Sequence, residues 1–182
     1  MLVSDSSAQP NSHGRSAWLM ALLFTLVFLS LQWIWNTAKG SAFEYVVIDK
    51  ATVGTVVRII NALTPDAHAT ADGSSIRSPG GGINVLNGCE GTEVLFLLMA
   101  AVIAYPLTWR LRAVGLLGGT AFVFIINQAR LLALFYSYRS DRALFGQLHG
   151  VIAPLALIMV TLIFFVLLIR LNDRSAQKPR LV

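Results

Sequence analysis

The 182-residue chain has one cysteine, three histidines and only 13% charged residues. A single cysteine excludes an intramolecular disulfide, and it excludes dithiol redox chemistry, which needs a second sulfur to resolve the bond. Cysteine-rich zinc sites are excluded with it. No Cys-x-x-Cys-His haem attachment and no Gly-Lys-Ser/Thr phosphate loop occurs, and Gly80-Gly81-Gly82 standing alone implies only flexibility. No cofactor or metal is therefore expected. With so little charge and 55% hydrophobic residues, the chain lacks the polar sequence to cover a soluble core of its own. The net charge of +5 does not point to nucleic acid either, because the basic residues flank apolar runs and form no folded patch.

What is present is long apolar sequence. Four runs, residues 17–35, 89–108, 113–136 and 151–169, have the roughly 17–25 residues needed to cross a bilayer as helices. The expected fold is an all-α integral membrane protein: one four-helix membrane domain over residues 17–171, a disordered N-terminus over 1–16 and a basic tail over 172–182. The first run follows Arg15 and carries Trp18, Trp33 and Trp35, the pattern of a retained helix anchored at the interface and not of a cleaved signal peptide. Arg15, Arg110, Arg112, Arg170, Arg174, Lys178 and Arg180 crowd one side of this topology, which predicts cytoplasmic termini in a cell inner membrane. Residues 36–88 are then external. Within them 43–63 places Phe43, Val46, Val53, Val57 and Ile60 at spacings that predict a helix lying in the interface or over the bundle. Pro, Gly, Ser and Asp over 64–82 predict turns and a short hairpin, with 83–86 extended just before the cysteine.

The chemistry follows from counting crossings. Cys89 opens the second run, Arg130 lies near the end of the third, and His149 just precedes the fourth, so all three share one membrane face whichever way the protein is inserted. A thiol in the first turn of a helix beside a cation has a depressed pKa. His149 is a candidate base for that thiol and acid for a leaving amine. Arg130 is always charged, so its candidate task is to hold an oxyanion or a substrate carbonyl. Gly88 keeps the backbone beside the sulfur uncrowded, Asn127 sits three residues before Arg130 on the same helical face and is placed to orient its guanidinium, and Glu93 is a candidate partner for that charge. Small residues Gly115, Gly118 and Gly119 offer a surface for a substrate helix. The competing reading takes Cys89 as a small buried apolar residue and Arg130 as a charge-pairing group in a non-enzymatic membrane subunit of a transport or assembly complex.

The segments Asn87-Gly88-Cys89-Glu90-Gly91, Asn127-Gln128-Ala129-Arg130 and Leu148-His149-Gly150, in this order and at these separations, resemble the exosortase/archaeosortase family of integral-membrane cysteine transpeptidases. The likeness covers about residues 84–171, and the short chain is most similar to the exosortase H type. The resemblance implies a Cys–Arg–His site at Cys89, Arg130 and His149. It also implies membrane-anchored protein substrates that end in a short motif, a transmembrane helix and a basic cluster, cleaved on the periplasmic side and passed to an acceptor. Many exosortases have about twice as many spans, so the chain corresponds to their catalytic core.

Overall fold

The computed structural model describes residues 16–85 and 89–177. Helix α1 (Ala17–Ala38) starts at Ser16, whose hydroxyl accepts from the Leu19 N–H. Ser41 caps α2 (Ala42–Tyr45) while Glu44 reaches back to the Gly40 N–H at 2.6 Å, the reciprocal capping that fixes a helix start. The helix expected over 43–63 is there in three parts: α2, a π-helical stretch Val46–Val53, and α3 (Gly54–Leu63). The wider π turn changes which side chains face inward. Ile48, Thr52, Val53, Val56, Val57 and Ile60 are buried, whereas Phe43 and Val46, expected on the inner face, are exposed. Thr52 settles its hydroxyl on the Val47 carbonyl five residues back, as π spacing allows.

Strands β1 (Thr70–Asp72), β2 (Ser75–Arg77) and β3 (Ile83–Asn84) follow, antiparallel in the order β1-β2-β3. The helix of residues 54–63 and this sheet are pinned together by Asn61, which both donates to and accepts from the backbone of Ala69 at 2.8 Å. They sit on the end of helix α5 (Trp109–Ser140), where Ile48, Ile60, Ile76 and Val85 share one core with Leu131, Leu134 and Phe135. Thr64 bonds the Tyr136 hydroxyl at 2.8 Å and Arg139 donates to Ser78 at 2.6 Å across the same boundary.

Among the described residues three helices are long and apolar enough to cross a membrane: α1, α5, and the helical stretch Arg142–Ser175 made of α6 (Arg142–Gln147), a π turn Leu148–Ile152 and most of α7 (Ala153–Gln177). The expected span over 89–108 is instead the 13-residue α4 (Thr92–Ala104), about 20 Å long against about 30 Å of hydrocarbon. Gly91 in the left-handed region begins it and the turn at Pro106 ends it. The third span runs from 109 to 140, longer than 113–136, and α7 continues through residues 172–177, which were assigned to the tail.

Neighbouring helices alternate in direction. Trp35 near the end of α1 meets Phe96 near the start of α4, Leu98 and Val102 of α4 meet Gly119 and Gly115 of α5, and Phe122 of α5 stacks on Phe164 of α7. The start of α1 and the end of α7 therefore lie at the same end of the bundle. The glycines assigned to a substrate surface are largely used up by this packing: a Cβ on Gly115 or Gly119 would come within 2.7 Å of Leu168 or Leu98, and only Gly118 faces outward. Gly119→Leu is expected to destabilise the bundle by about 1–3 kcal/mol through overpacking. Gly118→Leu should stay within about 0.5 kcal/mol of the wild type, as surface substitutions do. Thermal unfolding in detergent micelles compares the two.

Candidate active site

Cys89 is not in the first turn of a helix. It lies three residues before Thr92, in a turn that Gly91 completes at φ 76°, and it is 2% exposed. Asn127, also buried, anchors that turn from α5: its Nδ2 donates to the carbonyls of Cys89 at 3.2 Å and Glu90 at 3.1 Å. Gly91 is the residue this approach requires, since a Cβ there would lie 2.8 Å from Asn127 Cγ. Asn127 thus grips the backbone at Cys89 and Glu90, where the sequence placed it beside the Arg130 guanidinium.

The sulfur is approached from two sides. His149 Nδ1 lies 3.3 Å from Cys89 Sγ, and Arg130 Nη2 donates to Sγ at 3.7 Å. An Nδ1 that accepts from the thiol carries its own proton on Nε2. Arg130 is buried on α5, one turn beyond Asn127. His149 is exposed and belongs to the π turn inside one continuous helical stretch, not to a loop before the last span. Burial pushes the Cys89 thiol above its ordinary pKa, the Arg130 cation pulls it down by less, and Glu90 adds to the rise. The resting sulfur is accordingly a neutral thiol, where a helix-start position predicted a depressed pKa.

One expected member lies elsewhere. Glu93 is exposed and lines a depression with Trp33, Asn36 and Lys39 on the α1 side, away from the sulfur. Gly88 falls outside the described residues. The cavity at the sulfur is about 180 Å³, walled by Ile83 and Asn84 of β3, Leu134 and Tyr138 of α5, and Phe145 and His149. An extended segment at 83–86 was expected ahead of the cysteine, but nothing in the sequence marked β3, Tyr138 or Phe145 as walls of the site. A larger groove of about 410 Å³ runs between α1, α4 and α5 behind the Cys89–Gly91 turn, with Leu31, Phe96 and Val123 in its walls. Cys89 does not line it, so the chemistry belongs to the smaller cavity.

Residues 10–166 match the family described as transmembrane exosortase, of the EpsH type. The chain belongs to that family. Membership carries the general role of a membrane transpeptidase acting on proteins with C-terminal sorting signals, and it agrees with an integral membrane protein built on apolar helices. No curated protein and no solved structure matches the chain. Within this exosortase the thiol's acidity is expected to follow its two charged neighbours. Arg130→Met should raise the Cys89 pKa and Glu90→Gln should lower it, read from the pH dependence of alkylation of the single cysteine. Asn127→Leu removes two hydrogen bonds and strands two carbonyls, an expected loss of about 2–4 kcal/mol in thermal unfolding.

Proposed function

We propose that the chain is a membrane-embedded cysteine protease and transpeptidase that cleaves the C-terminal sorting signals of exported proteins through a thioester and transfers them to an acceptor nucleophile. The observation that carries this reading is the convergence of His149 Nδ1 at 3.3 Å and Arg130 Nη2 at 3.7 Å on one sulfur at the floor of a cavity. A non-enzymatic subunit has no need of an imidazole and a guanidinium on the same thiol.

In this mechanism His149 Nδ1 takes the thiol proton as Sγ attacks the scissile carbonyl, because the neutral resting thiol is not deprotonated in advance. The oxyanion that forms beside Sγ is held by the Arg130 guanidinium. Collapse of the tetrahedral adduct breaks the C–N bond, and the imidazolium returns its proton to the departing amine. The acyl group remains on Cys89 as a thioester. An incoming amine or water then loses its proton to His149, attacks the thioester, and expels the thiolate, which is reprotonated.

The membrane setting supports a site at the external boundary of a cell inner membrane, with both termini cytoplasmic. Arg130 is 21 residues beyond Trp109, about 32 Å along α5 and so about one hydrocarbon thickness from the end that carries Arg110 and Arg112. Basic residues at that end, with Arg170 and Arg174 of α7 beside them, mark the cytoplasmic side. A substrate whose own helix stops at the opposite boundary presents its cleavage motif at the level of Cys89.

Co-expression with a protein bearing a motif, a transmembrane helix and a basic cluster tests the reading. Cys89→Ala should abolish processing, Arg130→Ala should slow it about 10²–10³-fold as loss of an oxyanion donor does, and His149→Ala about 10²–10⁴-fold, each at normal insertion levels. A hydroxylamine-sensitive acyl adduct on Cys89 should be detectable by intact-mass measurement. Unimpaired processing by Cys89→Ala would remove the proposal.

A further inference from the structure

Two aromatic rings and a guanidinium stand in a row that ends on the imidazole of His149. We propose that this stack positions His149 against the Cys89 thiol, with Phe145 as the positioning residue that touches the imidazole. The inference rests on the Cys89–His149 pairing proposed above and adds what holds it.

The row begins at Arg142, whose guanidinium lies 3.9 Å from the centre of the Tyr138 ring. Tyr138 meets Phe145 edge to face, with ring centres 5.1 Å apart and an interplanar angle of 80°. Phe145 then lies flat on the His149 imidazole, centres 5.4 Å apart and planes within 11°. Four residues separate Phe145 from His149, which puts both rings on one side of the helical stretch. Both line the cavity that holds Cys89.

The imidazole needs such a support. His149 is exposed, and it sits between Gly146 and Gly150, each of which has open space where a Cβ would be. A ring on two rotatable bonds in such surroundings samples several rotamers unless something selects one. A flat aromatic face selects the ring plane, and that plane directs Nδ1 to the sulfur 3.3 Å away.

The far end of the row is fixed as firmly. Gly81, at φ 120°, lets the external segment close on Tyr138, where a Cβ would lie 2.7 Å from Cε1 of that ring. Asp141 breaks α5 and caps α6, its Oδ1 accepting from the N–H groups of Ala143 at 2.8 Å and Leu144 at 3.2 Å, so Phe145 enters at a set angle to Tyr138. The external sheet, α5, α6 and the π turn are thereby linked through side chains to one nitrogen of the site. Gly80-Gly81-Gly82 gains a role beyond flexibility, since it seats the ring at the base of the stack.

Alkylation of the single cysteine by iodoacetamide at neutral pH, in the full-length protein in membranes, tests this without a peptide substrate. His149→Ala should slow alkylation, and Phe145→Leu, which keeps bulk but removes the aromatic face, should slow it on the order of fivefold to tenfold. Phe145→Tyr should restore the rate to within about twofold of wild type, a rescue that a merely space-filling role would not require. Arg142→Ala, at the exposed end of the row, should slow it about twofold and reads the stack even where Phe145→Leu inserts poorly. Wild-type alkylation by Phe145→Leu or, where that variant does not insert, by Arg142→Ala, while His149→Ala is slow, overturns the stack and leaves the Cys–His pair standing. Wild-type alkylation by His149→Ala overturns both. Absence of processing activity with the predicted order of alkylation rates upholds the stack and counts against the transpeptidase reading alone.

Discussion

One side-chain amide holds two carbonyls, and the reactive geometry depends on that clamp. Both protons of Asn127 Nδ2 are spent on the carbonyls of Cys89 and Glu90, which fixes the orientation of the amide as well as the path of the turn. The turn can lie on Asn127 only because Gly91 offers no Cβ and accepts a positive φ. Asn127 and Arg130 are three apart on α5, so one helical turn both holds the backbone at Cys89 and sets the cation beside its sulfur. Buried hydrogen bonds of this kind are costly to leave unmade, and a slip of α4 along α5 would break both together.

That register is enforced further down the bundle by close packing. Gly115 and Gly119 let α5 meet Leu98 and Val102 of α4, with Leu168 and Phe164 of α7 on the same glycines. Interdigitation at this density admits few alternative alignments. The link is mechanical: the glycine contacts set how far α4 sits along α5, and Asn127 reads out that position at Cys89. Thr108 and Asn172 tie the opposite end, the Thr108 N–H donating to Asn172 Oδ1 at 3.0 Å. Helix α1 packs on α4 and leaves most of its surface outward, as the peripheral helix of a membrane bundle does.

Much of this was legible in the chain. Scarcity of charge and the apolar runs gave an integral membrane helical protein, and crossing parity alone gathered Cys89, Arg130 and His149 at one end, because parity is indifferent to the details of packing. What depends on packing was hidden. The π turns at Val46–Val53 and Leu148–Ile152 have no distinct residue signature, so the apolar face of the external helix was taken to include Phe43 and Val46, and His149 was set at the boundary just ahead of the last span. Cys89 was taken as the first residue of the second span, whereas Gly91 sets the true boundary of α4 by its backbone conformation. Asn127 was identified as a supporting residue from its spacing to Arg130, yet its partners are carbonyls, which no side-chain pattern announces. Gly115 and Gly119 were assigned to a substrate surface because a single chain does not show which helix face meets the side chains of its neighbours.

The burial of the sulfur and the cation beside it pull in opposite directions, and the balance decides how the site works. Desolvation disfavours the thiolate, Arg130 favours it, and Glu90 disfavours it again, with burial dominant. The sulfur therefore does not gain the acidity it would have where a helix start and a cation together depress a thiol's pKa. A neutral thiol is also the less reactive form toward oxidants and stray electrophiles. In the acyl transfer proposed above, reactivity is created when a carbonyl enters the cavity. Its developing oxyanion gives Arg130 a stronger charge partner than sulfur, and the proton leaves for His149 in the same step. On this account the guanidinium contributes little to ground-state acidity and most of its effect to the transition state, so a site buried at the cost of thiol acidity remains competent for acyl transfer.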